Sequence, residues 1–436
     1  MSAALEYHRR TAVAAPRGWE DEDELRYVGP RPAPLKDYGD AERLPLETSV
    51  AGPLLQDGAG IVRSQPARDY GGGTMHWRAY SSAGALYPVE AYVAAAEALY
   101  SFDPLERTLV AVARGDARSA VGAAVDASAE TFVVLTGIHA RTGWKYLERG
   151  YRHVWWDTGT MLANLLALAA ADDLSPRLYV GFVDHALDDV LGVDGIGEHA
   201  VAVVGLGDES GRPVAKPLTD YALAPQLRER RFPLAEAAQA ASALADVDAV
   251  RAWRSEPDGE EPKLPRDELV RAIQRRRSVR RYGDEPLPRE ELAELLAWSE
   301  APVPADVPGV VRQVVTAAAV DGLVPGTYDA RLQLLREHDQ GELRERAGLA
   351  AMDQDHSRFA AVNVFQLADV EAVVARHGDR GYRWAQLEPG IRAGRLQVGA
   401  SMRGWGAVAS TFFDEEVSRV LETDDAPMLM VAIGPR

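Results

Sequence analysis

Residues 275 to 281 read Arg-Arg-Arg-Ser-Val-Arg-Arg, which gathers guanidinium forks and one hydroxyl on a few neighbouring positions. Such a cluster suits a phosphate: the forks match its oxygens bidentately, and Ser278 adds a short neutral donor able to approach the same group. A solvated basic helix end, favoured by the helix dipole, would use the same residues with no ligand. A second segment, Ser81-Ser82-Ala83-Gly84-Ala85-Leu86-Tyr87-Pro88, joins two hydroxyls to three residues with little or no side chain. Small residues let backbone N–H groups come close to a planar ring, and Tyr87-Pro88 can fix the loop's exit into a following strand. An ordinary loop before a strand reads the same way.

The two segments lie on opposite halves of an imperfect repeat. Lys145-Tyr146-Leu147-Glu148-Arg149-Gly150-Tyr151-Arg152 returns 231 positions later as Arg376-His377-Gly378-Asp379-Arg380-Gly381-Tyr382-Arg383. Gly159 answers Gly390; after a one-residue slip, Phe182, Asp184, Val190, Leu191 and Asp194 answer Phe412, Asp414, Val420, Leu421 and Asp424. Only the second copy carries the arginine cluster, and only the first carries the Ser-rich loop. A duplication whose chemically loaded segments survive on opposite copies points to one site shared across an internal pseudo-dimer.

The chain's composition narrows what that site can be. With no cysteine among 436 residues, disulfides, thiolate nucleophiles and iron–sulfur ligation are excluded, so redox chemistry needs an organic cofactor. A net charge of −18 argues against general nucleic-acid or anionic-membrane binding, while leaving room for a local cationic pocket. No stretch reaches the apolar length of a membrane span, and the first residues lack a signal peptide's pattern, so a soluble protein of the cytoplasm is expected. His76, His139, His153 and His185 show no metal-ligand spacing, and no metal is expected.

The elements that must position the two motifs follow from length and periodicity. The chain is too long for one core, and we divide it into an N-terminal extension (1–50), a first domain (51–208), a connector (209–264) and a second domain (265–436). The first 50 residues, rich in proline and charge, lack sustained periodicity and predict an extended arm. Residues 89–97, 131–136, 200–205 and 428–434 predict strands. Apolar spacing predicts a core helix over 158–171, an Ala-rich helix over 234–247 and a helix over 267–276 that delivers the arginine cluster.

The pairing of Ser81 to Pro88 with Arg276 to Arg280, together with Lys145-Tyr146, Arg149-Gly150-Tyr151-Arg152 and Gly181-Phe182-Val183-Asp184, resembles the flavin-dependent nitroreductase superfamily, in particular the azoline dehydrogenases of ribosomal peptide biosynthesis. The resemblance spans about 53–208 and 267–436. It implies two tandem α+β nitroreductase-like domains, mainly antiparallel sheets flanked by helices, forming an intrachain pseudo-dimer with FMN at the interface. It implies further that Arg276, Arg277, Ser278 and Arg280 hold the phosphate and ribityl chain, that Ser81, Ser82, Ala83, Gly84 and Ala85 face the ring, that Ser410 and Thr411 pass near the flavin N5 edge, and that Arg436 is an added phosphate-side cation. Lys145 and Tyr146 would form the proton-transfer pair of an oxidation that turns thiazolines or (methyl)oxazolines of a precursor peptide into azoles, with dioxygen as electron acceptor and a cyclodehydratase as partner. An NAD(P)H-dependent reductase of nitro, quinone or dehydroamino-acid substrates, or a non-catalytic peptide-binding member, fits the same fold.

Departures from the family pattern decide the stoichiometry. Residues 44–60 contain no cationic cluster, residues 307–315 stand where copy two's Ser-rich loop would be, and Arg376-His377 replaces Lys145-Tyr146. Arginine does not readily release a proton, so only copy one keeps an obvious base. One flavin per chain is expected. Arg149, Tyr151 and Arg152 recur in both copies and are assigned to structure.

Overall fold

A computed structural model describes residues 2–14, 31–67, 73–207, 217–222, 230–255 and 259–436. Two antiparallel sheets dominate it. In copy one the strands lie in the order Arg43–Pro45, Thr108–Arg114, Ala98–Asp103, Val89–Ala94, Thr131–Gly137, His199–Leu206, Arg177–Tyr179. Copy two repeats the last six as Leu334–Glu337, Gly326–Asp329, Arg312–Ala317, Val362–Ala368, Ala426–Gly434, Gly406–Ser410. The central strands read as continuous apolar runs because helices cover both faces: every residue of Thr131–Gly137, His199–Leu206 and Val362–Ala368 is buried. The α+β class and the two repeated halves, each a mainly antiparallel sheet flanked by helices, are therefore as the sequence implies.

The copies meet along the helix Gly150–Ala171 and the segment Val370–Met402, whose helix is broken at Gly378. Gly159 and Gly390, the residues that the repeat aligns, face each other at the crossing. A Cβ on Gly159 would stand 2.5 Å from the Gly390 Cα, and one on Gly390 would stand 2.5 Å from the Trp156 carbonyl oxygen. Only a residue without a side chain lets the backbones come this close. The first helix starts eight residues before the predicted 158, because Trp155 and Trp156 continue its buried surface.

The recurring Arg-Gly-Tyr-Arg motif locks the halves reciprocally. Arg380 and Arg383 donate to Asp184 at 2.6 and 2.5 Å, and Arg149 and Arg152 reach Asp414 at 2.9 and 3.2 Å. Each aspartate thus takes the arginine pair of the other copy. Burial alone would raise the Asp184 carboxyl, but Arg383 and Arg380 overturn that and hold it below its ordinary value. Burial pushes the Arg149 and Arg380 guanidiniums down to about 10.

The N-terminal arm departs from expectation. Ala3–Arg10 is a helix: Ser2 caps it by accepting from the Leu5 N–H, and Ala4 and Tyr7 are buried. Averaging over 50 residues of proline and charge hides this single amphipathic turn pair. The helix is also part of the repeat. Arg152 donates to the Thr11 hydroxyl and the His8 carbonyl, while Arg383 donates to the Ser242 hydroxyl and the Gln239 carbonyl, again 231 positions on. The Ala-rich helix, observed as Pro233–Ala241, is therefore the counterpart of Ala3–Arg10, and a separate helix, Val247–Trp253, follows it. No described helix is long and apolar enough to cross a membrane.

Candidate active site between the two copies

Helix Arg266–Arg275 ends where the cluster begins, so successive arginines fan out from its C-terminal end. Arg276 is half-buried and turns across the interface, its Nε donating to the Ala79 carbonyl of copy one at 3.3 Å and its Nη1 to Gln397 at 3.5 Å. Both bonds are long, leaving much of its donor capacity for another acceptor. Burial lowers its pKa, with Tyr87 opposing and Arg277 adding to the effect. Ser278 bridges the edge strand at Ala407 and is exposed. Arg277 is depressed by burial and by the nearby cations Arg63 and Arg436, so three guanidiniums converge here. Like charges gathered at this cost are the electrostatic form of an anion site.

From copy one, Ser81 to Ala85 enters the same region two residues after Ala79. Gly84, Ala85 and Tyr87 all have positive φ, at 59°, 53° and 47°, a conformation that costs the two non-glycine residues about 1–2 kcal/mol each. The surroundings over-determine it. The Ser82 hydroxyl donates to Asp157 at 2.5 Å and accepts from the Tyr87 N–H at 2.9 Å; the Ala83 N–H donates to Asp157 at 3.1 Å; Thr160 donates to the Ser81 carbonyl at 2.6 Å. Burial raises the Asp157 carboxyl to about 7, against those two hydrogen bonds. A loop pinned in a strained shape with small side chains presents backbone and hydroxyls to a flat partner.

Lys145 and Tyr146 end helix His139–Tyr146, and a left-handed Leu147 then turns the chain into the central helix. The Tyr146 hydroxyl lies 3.3 Å from the point a Cβ on Gly84 would occupy, so a side chain there would press on it. Burial, then the charge of Arg280, lowers the Lys145 pKa. The interface thus brings the arginine cluster, the Ser-rich loop and the Lys-Tyr pair into one locus. Ser410, at the end of Gly406–Ser410, is buried against His356, and Thr411 donates to the Met352 sulfur at 3.5 Å. Three contributors were missed in the sequence. Asp157 is the lone Asp, Glu, Lys or Arg between Arg152 and Asp172 and could have been found on that ground; Arg63 and His356 carry no such signal.

The scan against protein families finds the nitroreductase family twice, over residues 50–208 and 273–435. The chain belongs to the nitroreductase family. A protein from Anabaena variabilis described as a nitroreductase superposes over 100% of both chains with a TM-score of 0.82 and 26% identity. A relative from Methanocaldococcus jannaschii, also described as a nitroreductase, is 29% identical over 197 residues, 41% of this chain and 93% of its own. A chain of the E. coli microcin synthetase complex, solved with truncated pro-microcin bound, matches over 48% of this chain and 81% of its own at 21% identity and a TM-score of 0.31.

The opposite face of the pseudo-dimer is built differently. Ala305 bridges Leu178 where, across the pseudo-axis, Ser278 bridges Ala407. Asp306 accepts from the Val180 and Gly181 N–H groups at 2.8 and 3.1 Å and from Arg254 at 3.1 Å. The Trp253 ring packs on Gly181, and its Nε1 donates to the His377 carbonyl at 2.8 Å. Residues of the connector and of the 303–311 loop fill that face.

Proposed function

We propose that this nitroreductase-superfamily oxidoreductase binds one FMN between its copies and oxidises thiazoline or (methyl)oxazoline rings of a ribosomal precursor peptide to thiazoles or oxazoles. The observation that carries the reading is the convergence, from opposite copies, of an arginine cluster, a strained small-residue loop and a lysine of lowered pKa. The cluster fits a phosphate: Arg276, Arg277 and Arg436 would hold it with Ser278, and Arg280 would reach further along the ligand. Ser81 to Ala85, with no bulky side chain, fit a flat ring. Bound flavin supplies a hydride acceptor.

The remaining chemistry falls to the chain. Azoline aromatisation removes a proton from the ring Cα and a hydride from Cβ, so a base must stand beside the ring. Lys145, its proton loosened by burial and Arg280, takes that role with Tyr146 beside it. Dioxygen serves as the final acceptor, and a cyclodehydratase supplies the azoline. Incubating the flavin-loaded protein with an azoline-bearing peptide tests this: loss of two mass units per ring is expected. The relative described as a nitroreductase over the full length favours a second reading, reduction of a small substrate by NAD(P)H. Rapid flavin bleaching by NAD(P)H, with the peptide left unchanged, would select it.

A further inference from the structure

His356 takes no part in the roles assigned above, yet it is buried within range of the charge of Arg280, the same arginine that acts on Lys145. Its Nε2 is within hydrogen-bond reach of the Ser410 hydroxyl, and its ring lines a cavity of about 820 Å³ shared with Arg280, Arg281, Arg344 and Phe359. The repeat provides an internal comparison. The 231-residue offset that aligns strands Thr131–Gly137 and Val362–Ala368 sets His356 against Val125, and the offset of Phe182 to Phe412 sets Ser410 against Val180. The filled face has two valines where this face has a histidine and a serine. The polar pair therefore survives on the face that keeps the arginine cluster, the Ser-rich loop and Lys145, and a requirement of the shared fold would have kept it on both.

Resting on the flavin reading above, we infer that His356 is a positioning residue: it fixes the direction of the Ser410 hydroxyl so that the end of strand Gly406–Ser410 presents a directed polar group to the bound cofactor. The charges that act on it are Arg280 from the loop after helix Arg266–Arg275 and Asp355 on its own short helix, while Arg281, Asp284, Glu285, Arg344 and Asp353 line the same cavity. Burial, then Arg280, pushes its pKa down to about 4, against Asp355, so the ring is neutral at physiological pH and offers one donor and one acceptor nitrogen. A neutral imidazole can orient a hydroxyl without adding a second charge beside Arg280.

The test is a double-mutant cycle on FMN affinity, measured by fluorescence titration of the cofactor-stripped full chain, with thermal melting on the same samples. H356A and S410A should each weaken FMN binding about three- to tenfold, and the double variant no further than either alone, because one hydrogen-bonded unit is lost in all three. H356Q, which keeps a side-chain amide able to reach Ser410, should recover most of the affinity. Independent, multiplying losses, or unchanged FMN affinity in variants that only melt earlier, would overturn the inference and leave the flavin reading standing. A wild-type chain that binds no FMN would overturn both.

Discussion

At the scale of single residues, Lys145 is a base only when its amine is neutral, and two causes push it that way: burial and the charge of Arg280. Azoline oxidation should therefore rise with pH through an inflection below the ordinary lysine value and then level off. Removing the Arg280 charge as R280Q takes away one lowering cause, so the inflection should move to higher pH; a profile that stays in place would detach Lys145 from the chemistry. K145A and Y146F should slow turnover by roughly 10² to 10⁴ while flavin content and melting temperature hold. R376A and H377A, on the filled face, should change the rate little. Asp157 gives a separate pH signature. Its carboxyl is raised from 3.8 to about 7 in the folded chain, so its contribution to stability is fully present below 3.8 and is lost as pH rises through 7. D157N should flatten that part of the stability curve in denaturant titrations from pH 4 to 7. Asp188, raised to about 7 by burial, keeps its own slope in both proteins.

At the scale of elements, the central helices and their arginine pairs hold the site together by holding the copies together. R383A removes one of two partners from a buried aspartate and should cost about 3–5 kcal/mol in unfolding free energy, far more than an exposed ion pair. G390A places a Cβ against the backbone of Gly159 and Trp156 and forces the helices apart, so it should lower the melting temperature and loosen FMN together. What the sequence revealed follows from the same physics. Strand Val89–Ala94 was legible as a short, mostly apolar run with β-branched and aromatic members, buried throughout, and helix Arg266–Arg275 because one buried face imposes a helical period. The arginine cluster and Ser-rich loop were legible because loss on alternate copies makes them stand out against the repeat. Helix Ala3–Arg10 was not, because eight residues give too short a window for its amphipathic pattern to stand out from the proline and charge that follow. Asp157, Arg63 and His356 come from three separate elements, and no spacing along the chain links them.

At the scale of the whole molecule, duplication has produced a pseudo-dimer with one open face and one filled face. Binding at the filled face would require expelling Trp253, Arg254 and Asp306 and breaking the hydrogen bonds of Asp306 to Val180, Gly181 and Arg254. It would also lack phosphate cations, since residues 44–60 hold no arginine cluster. Flavin released by denaturation and quantified by absorbance should therefore approach one per chain, and W253A with D306A should leave that ratio unchanged, because clearing space creates no anion site. On the open face, R276A with R280A should release the cofactor on dilution: each charge-assisted contact is worth about 1.5–3 kcal/mol, so losing two weakens affinity by a factor on the order of 10² to 10⁴. The two variants pull the explanation in opposite directions. A ratio near two per chain in the wild type would mean the filled face opens in solution. Retention of flavin by the double arginine variant would move the phosphate away from the cluster, and with it the claim that each copy contributes a different half of one site.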